Sequence, residues 1–184
     1  MTLPVTGSQT VGPFFRIGLA PLFREEMAPA GVPGERLTVH GRVLDGDGAG
    51  IPDATIEIWQ ADALGKYPGT GEARAGFTGF GRVPTNEKGE FRFTTVRPGA
   101  VEGPGDSMQA PHLVVIVFMR GLLRHLLTRI YFAGEAANES DAILQLVPAE
   151  RRPTLVAKRD GTSADTFEWN VNMQGQNETV FFEV

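Results

Sequence analysis

The chain contains no cysteine. That removes a disulfide framework, a thiol nucleophile and any thiolate-held zinc. It has only three histidines, His40, His112 and His125, and only two tyrosines, Tyr67 and Tyr131. No two histidines stand at i+2, i+3 or i+4, so no local metal signature exists. There is no phosphate-binding glycine loop and no GxGxxG. Ser8, Ser107, Ser140 and Ser163 lie in no nucleophile-elbow pattern. Positive charge is scarce: 17 Lys+Arg stand against 22 Asp+Glu, a net charge of -5. Without a basic stripe, nucleic acid is a poor partner. The longest apolar run, residues 113–119, is far too short to span a bilayer. The first ten residues, MTLPVTGSQT, hold neither a basic patch nor an apolar run. No signal peptide is expected, and a cytoplasmic location is.

What is present is turn-forming residues and short alternations. The 184 residues, 41% hydrophobic, suit one domain able to bury roughly 70% of its unfolded surface. Gly 23 and Pro 13 are high counts. With few helical periods they point to an all-β body. The organising stretch is residues 37–67. Leu37, Val39, Gly41 and Val43 alternate with polar neighbours, the period of a half-buried strand. The glycine-rich DGDGAG of residues 45–50 reads as a hairpin turn. Ala54, Ile56 and Ile58 form a second strand, and residues 61–67 leave it as a loop carrying Tyr67.

Residues 65–81 read as loop, with a short edge strand at 81–85. Phe91, Phe93 and Thr95 mark another strand, and residues 97–111 are loop. Residues 112–119, HLVVIVFM, are apolar on both faces, so this strand should be central and covered by a second sheet. Residues 122–132 are expected to form its neighbour. A short helix is expected near 138–147, capped by Asn138 or Ser140. Residues 155–158, 167–173 and 179–184 complete seven to nine strands, the pattern of a β-sandwich of two mostly antiparallel sheets. Residues 1–36 form an irregular arm broken by proline and glycine, and residues 37–184 form the sandwich. The arm carries Phe14, Phe15, Ile17, Leu19, Leu22 and Phe23, too apolar for a free tail. It must lie on its own domain or on a neighbouring subunit.

Among titratable groups, His40 and His125 read as structural. His112, at the mouth of the central strand, reads as a hydrogen-bonded core histidine. Tyr131 reads as a core residue, whereas Tyr67 on its loop can face a pocket or solvent. Arg82, Arg97 and Arg120 stand at strand ends as possible anion contacts.

Four segments stand in order: Ser8-Gln9-Thr10-Val11-Gly12-Pro13-Phe14-Phe15, Glu57-Ile58-Trp59-Gln60-Ala61-Asp62, Thr95-Val96-Arg97-Pro98-Gly99 and Ala110-Pro111-His112. With the closing Glu178-Thr179-Val180-Phe181-Phe182, they resemble the intradiol ring-cleaving dioxygenases over nearly the whole chain. The resemblance implies a β-sandwich and, in the catalytic chains, a ferric ion held by two tyrosinates and two histidines. Hard anionic oxygen donors stabilise such an ion as a Lewis acid. The positions that match those ligands here are Tyr67, Val101, His112 and Val114. Two of the four are valines, which coordinate no metal. Gln109 stands where catalytic chains carry an arginine before their His-x-His.

The likeness is therefore to the non-iron α chains of two-subunit members, with no catalytic residue in this chain alone. It implies Fe(III) on an iron-bearing β subunit as partner, and a shared site for a small aromatic substrate and O2. The implied reaction is cleavage of protocatechuate to 3-carboxy-cis,cis-muconate, a step of aromatic catabolism. Thr10, Val11, Gly12, Pro13 and Phe14 would line the partner's pocket, with Thr10, Gly12, Pro13 and Arg120 contacting substrate. Two other readings stay open: a free-standing transthyretin-like binding module, and a homomeric dioxygenase with an altered metal site. The first requires Phe14, Phe15 and Ile17 to be covered by the chain's own core. The second is opposed by the two valines.

Overall fold

The period-two alternation of residues 36–44 becomes β1 (Arg36–Leu44) in the computed structural model, which describes residues 4–69, 76–161 and 163–183. Leu37, Val39 and Val43 are buried on one face of it. Asp45 then closes the turn, its Oδ1 accepting from the backbone N–H of Asp47 at 3.0 Å and of Ala49 at 2.8 Å. Here the hairpin expectation fails. The strand that follows, β2 (Thr55–Trp59), does not pair with β1; a single isolated bridge joins Leu44 to Gly50. Alternation tells which side chains face inward, but not which strand lies alongside. The chain leaves the turn through Pro52 and enters the opposite layer.

The remaining strands are β3 (Phe80–Pro84), β4 (Glu90–Val96), β5 (Val101–Glu102), β6 (Met108–Gln109), β7 (His112–Phe118), β8 (Leu126–Phe132), β9 (Val156–Arg159), β10 (Thr166–Glu168) and β11 (Val171–Asn172). One layer runs β3-β2-β7-β8, antiparallel throughout. In the other, β1 pairs antiparallel with β4 and parallel with β10 and β11. β9 pairs with both β8 and β10, so the ladder passes from one layer to the other without a break. β5 and β6 form a separate two-stranded ladder in the segment expected to be loop. The inward faces meet in one cluster that includes Ile56, Ile58, Val115, Val117 and Ile130 from the first layer and Val39, Phe91, Phe93 and Phe167 from the second. Each such side chain contributes about 1.5–3 kcal/mol on burial.

β7 is central, as its composition implies, with Leu113, Val115 and Val117 in the core. Its other face is not covered by a sheet. His112 is buried there, but Val114, Ile116 and Phe118 are only half-buried. This outer face carries the candidate site.

Three further boundaries differ from expectation. β8 starts at Leu126 rather than at residue 122. The expected strand at 167–173 is split, because Asn170 Oδ1 takes the N–H of Arg42 at 2.8 Å in place of a ladder bond. Within the described part of residues 179–184 there is only a bridge between Leu127 and Phe182. The helix near 138–147 is α2 (Ala142–Leu146), preceded by one 3-10 turn. Its cap is Asp141, not Asn138 or Ser140, and Asp141 Oδ1 accepts from Ile143 N and Leu144 N. Residues 70–75 of the expected 65–81 loop lie outside the described residues. Among the described residues, no helix is long and apolar enough to cross a membrane.

The arm divides into two parts. Residues 24–27 strap both layers: Arg24 bridges Arg82 on β3, and the backbone around Glu25 and Met27 bonds Thr94 on β4. Met27 enters the core, fully buried. Upstream, Pro13 starts a two-turn helix, α1 (Pro13–Leu19), with no buried residue. Proline at N1 favours a helix start, so this piece of the arm is regular.

Candidate functional site

The motif after β2 builds the floor of the site. Gln60 is fully buried, its amide donating to Ala61 O and Val96 O and its Oε1 accepting from Thr95 Oγ1 at 2.7 Å. Asp62 folds the next loop back on itself: Oδ1 accepts from Leu64 N at 2.8 Å and Lys66 N at 3.0 Å. Gly65, at φ +78, fits because a Cβ there would lie 1.9 Å from Ala100 O. The loop delivers Tyr67 against Trp59, rings stacked 6.0 Å apart.

Beside Tyr67 lie the other three positions matched to iron ligands. Trp59, Val114 and Arg129 form a cross-strand row over β2, β7 and β8, and His112 pairs with Tyr131. Val101 pairs with Gln109 on the small ladder. So Tyr67, Val101, His112 and Val114 are brought to one neighbourhood. Arg129 stands in its midst, Nη1 donating to Gln109 Oε1 at 2.8 Å and lying 3.3 Å from Tyr131 Oη.

The electrostatics follow from burial and this one cation. His112 is pushed down to about 4, first by burial and then by the Arg129 charge. Its Nδ1 lies 2.7 Å from Ala110 O, so the neutral ring donates there and keeps Nε2 as its acceptor. Burial raises the Tyr67 phenol, and Arg129 opposes the rise. Tyr131 is also pushed up by burial. Its hydroxyl donates to Asp141 Oδ1 at 3.1 Å, while Asp141 Oδ2 accepts from Ala110 N at 2.7 Å.

The donor set does not fit ferric iron. Two valines supply nothing, and a guanidinium already occupies the neighbourhood. Among the described residues, no group of three or more His, Cys, Asp or Glu could hold a metal ion.

The positions matched to substrate contacts gather elsewhere, at the start of the arm. Thr10 Oγ1 accepts from Gly121 N at 2.8 Å, pinning the arm to the turn after β7. Gly12, Pro13, Asp53 and Arg120 line one small cavity of about 150 Å³. Arg120 Nε lies 3.0 Å from Asp53 Oδ2, and its side chain is 71% exposed. Arg82 and Arg97 are spent internally, on Glu57 and on Glu35 with Glu135. An open groove of about 730 Å³ runs beside Gln9 and Val11 to His125 and Phe182. On the arm itself Phe15 packs on Phe118, but Phe14 is 83% and Ile17 63% exposed.

Sequence reasoning missed Asp53, Arg129 and Asp141. Asp53 follows a proline in a turn, and Asp141 precedes an apolar helix start, which is a readable capping signal. Arg129 alternates correctly onto the outer face of β8, but nothing local marks it.

The Dioxygenase family model matches residues 12–175. The chain belongs to the intradiol dioxygenases. It is 45% identical to the protocatechuate 3,4-dioxygenase alpha chain of Burkholderia cepacia, over 100% of this chain and 99% of that one. Identity to the beta chain from the same organism is 29%, over 96% of this chain and 78% of that one. The dioxygenase domain of a carbohydrate-binding fusion protein from Streptomyces sp. SirexAA-E superimposes with a TM-score of 0.65 at 25% identity, covering 86% of this chain and 89% of that domain. This dioxygenase chain is thus α-like in sequence, and it lacks half the matched metal donors.

Proposed function

We propose that the chain is the non-iron α subunit of a protocatechuate 3,4-dioxygenase. In this reading residues 1–36 dock on an iron-bearing β subunit, and Thr10, Gly12, Pro13 and Arg120 form one wall of the pocket in which protocatechuate is opened by O2 to 3-carboxy-cis,cis-muconate. The iron belongs to β, and no step of ring opening runs through this chain's own residues. Their work is binding: Arg120 supplies a guanidinium for the ring carboxylate, and the Gly12-Pro13 backbone shapes an apolar wall. The likeness of the whole chain to the Burkholderia alpha chain supports the partner and the substrate.

The observation that carries the reading is the exposure of α1. Phe14, Ile17 and Leu22 leave an apolar face uncovered directly beside the cavity of Gly12, Pro13 and Arg120. A free-standing module would cover that face with its own core. The test is co-purification. Phe14→Ser with Ile17→Ser should leave the melting temperature of the isolated chain within a few degrees, yet weaken association with β at least tenfold. The unmodified chain alone should hold no iron and show no visible tyrosinate-to-iron absorption. Stoichiometric iron in the isolated chain, or unchanged association of the double variant, would end the proposal.

A further inference from the structure

The structure assigns Arg129 as the resident cation of the vestigial metal centre, the group that keeps metal ions out of it. The guanidinium ties together what surrounds the matched ligand positions. It bonds Gln109, which pairs with Val101, and approaches Tyr131, which pairs with His112. Its own cross-strand partner is Val114. Its charge also reaches the Tyr67 phenol and the His112 imidazole. Thus every one of the four matched positions is a neighbour of Arg129 or of a residue bonded to it.

This goes beyond the loss of two donors. An arginine cannot deprotonate in a protein, so its charge is permanent. A cation entering between Tyr67 and His112 would meet like charge in a half-buried site, where screening is weak. The loss of ligands and the gain of a fixed positive charge both act against metal. Restoring the ligands alone should therefore not restore the metal. The consequence for the assembled enzyme is that α offers no second site to compete for the partner's ion. The inference concerns this chain's own centre and holds or falls apart from the docking of the arm.

The test compares full-length chains: Val101→Tyr with Val114→His, and the same pair with Arg129→Gln. Each is loaded with ferric iron and read by iron per chain and by visible tyrosinate absorption. The triple variant should take up near-stoichiometric iron, and the double variant at least tenfold less. If the double variant loads as well as the triple, or a folded triple variant loads no better than the double, Arg129 is not the excluding group. Should the triple variant not fold, Arg129→Gln alone is titrated with Cu(II), which imidazole and phenol can bind. Binding at least tenfold tighter than in the unmodified chain supports the assignment; equal binding overturns it.

Discussion

Asp53 Oδ2 lies 3.0 Å from Arg120 Nε, across the gap between the β1–β2 connection and the turn after β7. Among the described residues Asp53 Oδ1 is buried without a hydrogen-bond partner, so one oxygen is spent on fixing the guanidinium and the other is enclosed. Arg120 is otherwise exposed and long, and free rotation would blur any charge it presents to a ligand. If Arg120 binds substrate as proposed, Asp53 positions it.

The first prediction tests that role. In the assembled enzyme, Asp53→Asn should raise KM for a carboxylated catechol several-fold while changing kcat less. Arg120→Ala should cost about 1–3 kcal/mol of transition-state binding, the worth of a charged hydrogen bond. Because the two act as a unit, the double variant should be little worse than Arg120→Ala alone. Stability of the isolated chain should move by less than about 1 kcal/mol, as for other exposed ion pairs. Additive losses in the cycle would show that Asp53 does not act through Arg120.

A second prediction concerns Gln60, whose amide joins the end of β2 to the end of β4. Gln60→Leu keeps the volume but strands the Thr95 hydroxyl and the Val96 carbonyl in the core. Each stranded group costs about 1–3 kcal/mol. Urea denaturation should show a loss in that range or somewhat above. The double variant Gln60→Leu with Thr95→Val should recover part of it, since the hydroxyl is then gone as well. No recovery would mean the pair is not coupled.

How much is readable from residues alone follows from which forces are local. The strands at β1, β2 and β4 are visible because burial on one face imposes a period of two on the sequence, and β7 because a central strand reads as a continuous apolar run. The β1-to-β2 pairing misleads because the turn chemistry of Asp45 is real but serves a crossover between layers. The ligand positions Tyr67, Val101, His112 and Val114 come from resemblance; the structure sets Val101 opposite Gln109, His112 opposite Tyr131 and Val114 opposite Arg129, with Tyr67 stacked on Trp59. Arg129 and Asp53 are not readable, since each acquires its meaning only from partners 20 and 67 residues away, Gln109 and Arg120. The exposure of Phe14 and Ile17 is open to two readings in the sequence, because a sequence cannot say which surface an apolar helix meets.

The third prediction addresses the strap. A Cβ at Gly81 would lie 2.6 Å from Met27 Cγ and 2.8 Å from its Sδ. Gly81→Ala should push Met27 out of the core and loosen residues 24–27 from β3 and β4. Overpacking of this kind costs about 1–3 kcal/mol. Limited trypsin digestion gives a sharper readout than stability, because Arg24 is bonded backbone-to-backbone with Arg82 in the native chain. Cleavage after Arg24 should accelerate in the variant, and Met27→Ala in the same background should slow it again. Equal cleavage rates in native and Gly81→Ala chains would show that the strap does not depend on this close approach.

The last prediction is a pH dependence set by His112. Buried, and within reach of the Arg129 charge, its imidazole refuses a proton until about pH 4, whereas the unfolded chain accepts one near 6.5. Between those values the unfolded state binds more protons than the folded one, so stability must fall as pH falls. The effect is absent above about pH 7 and complete near pH 4. Its full size is about 3 kcal/mol, since each pH unit between the two values is worth about 1.4 kcal/mol. His112→Asn can still donate to Ala110 O but cannot titrate. Urea midpoints at pH values of about 7, 6, 5 and 4.5 should therefore drop more steeply for the native chain than for the variant, while carboxylate effects common to both cancel in the difference. Parallel curves would mean that His112 takes up its proton in the folded state as readily as in the unfolded one, and that the ring is not held neutral by burial and by Arg129.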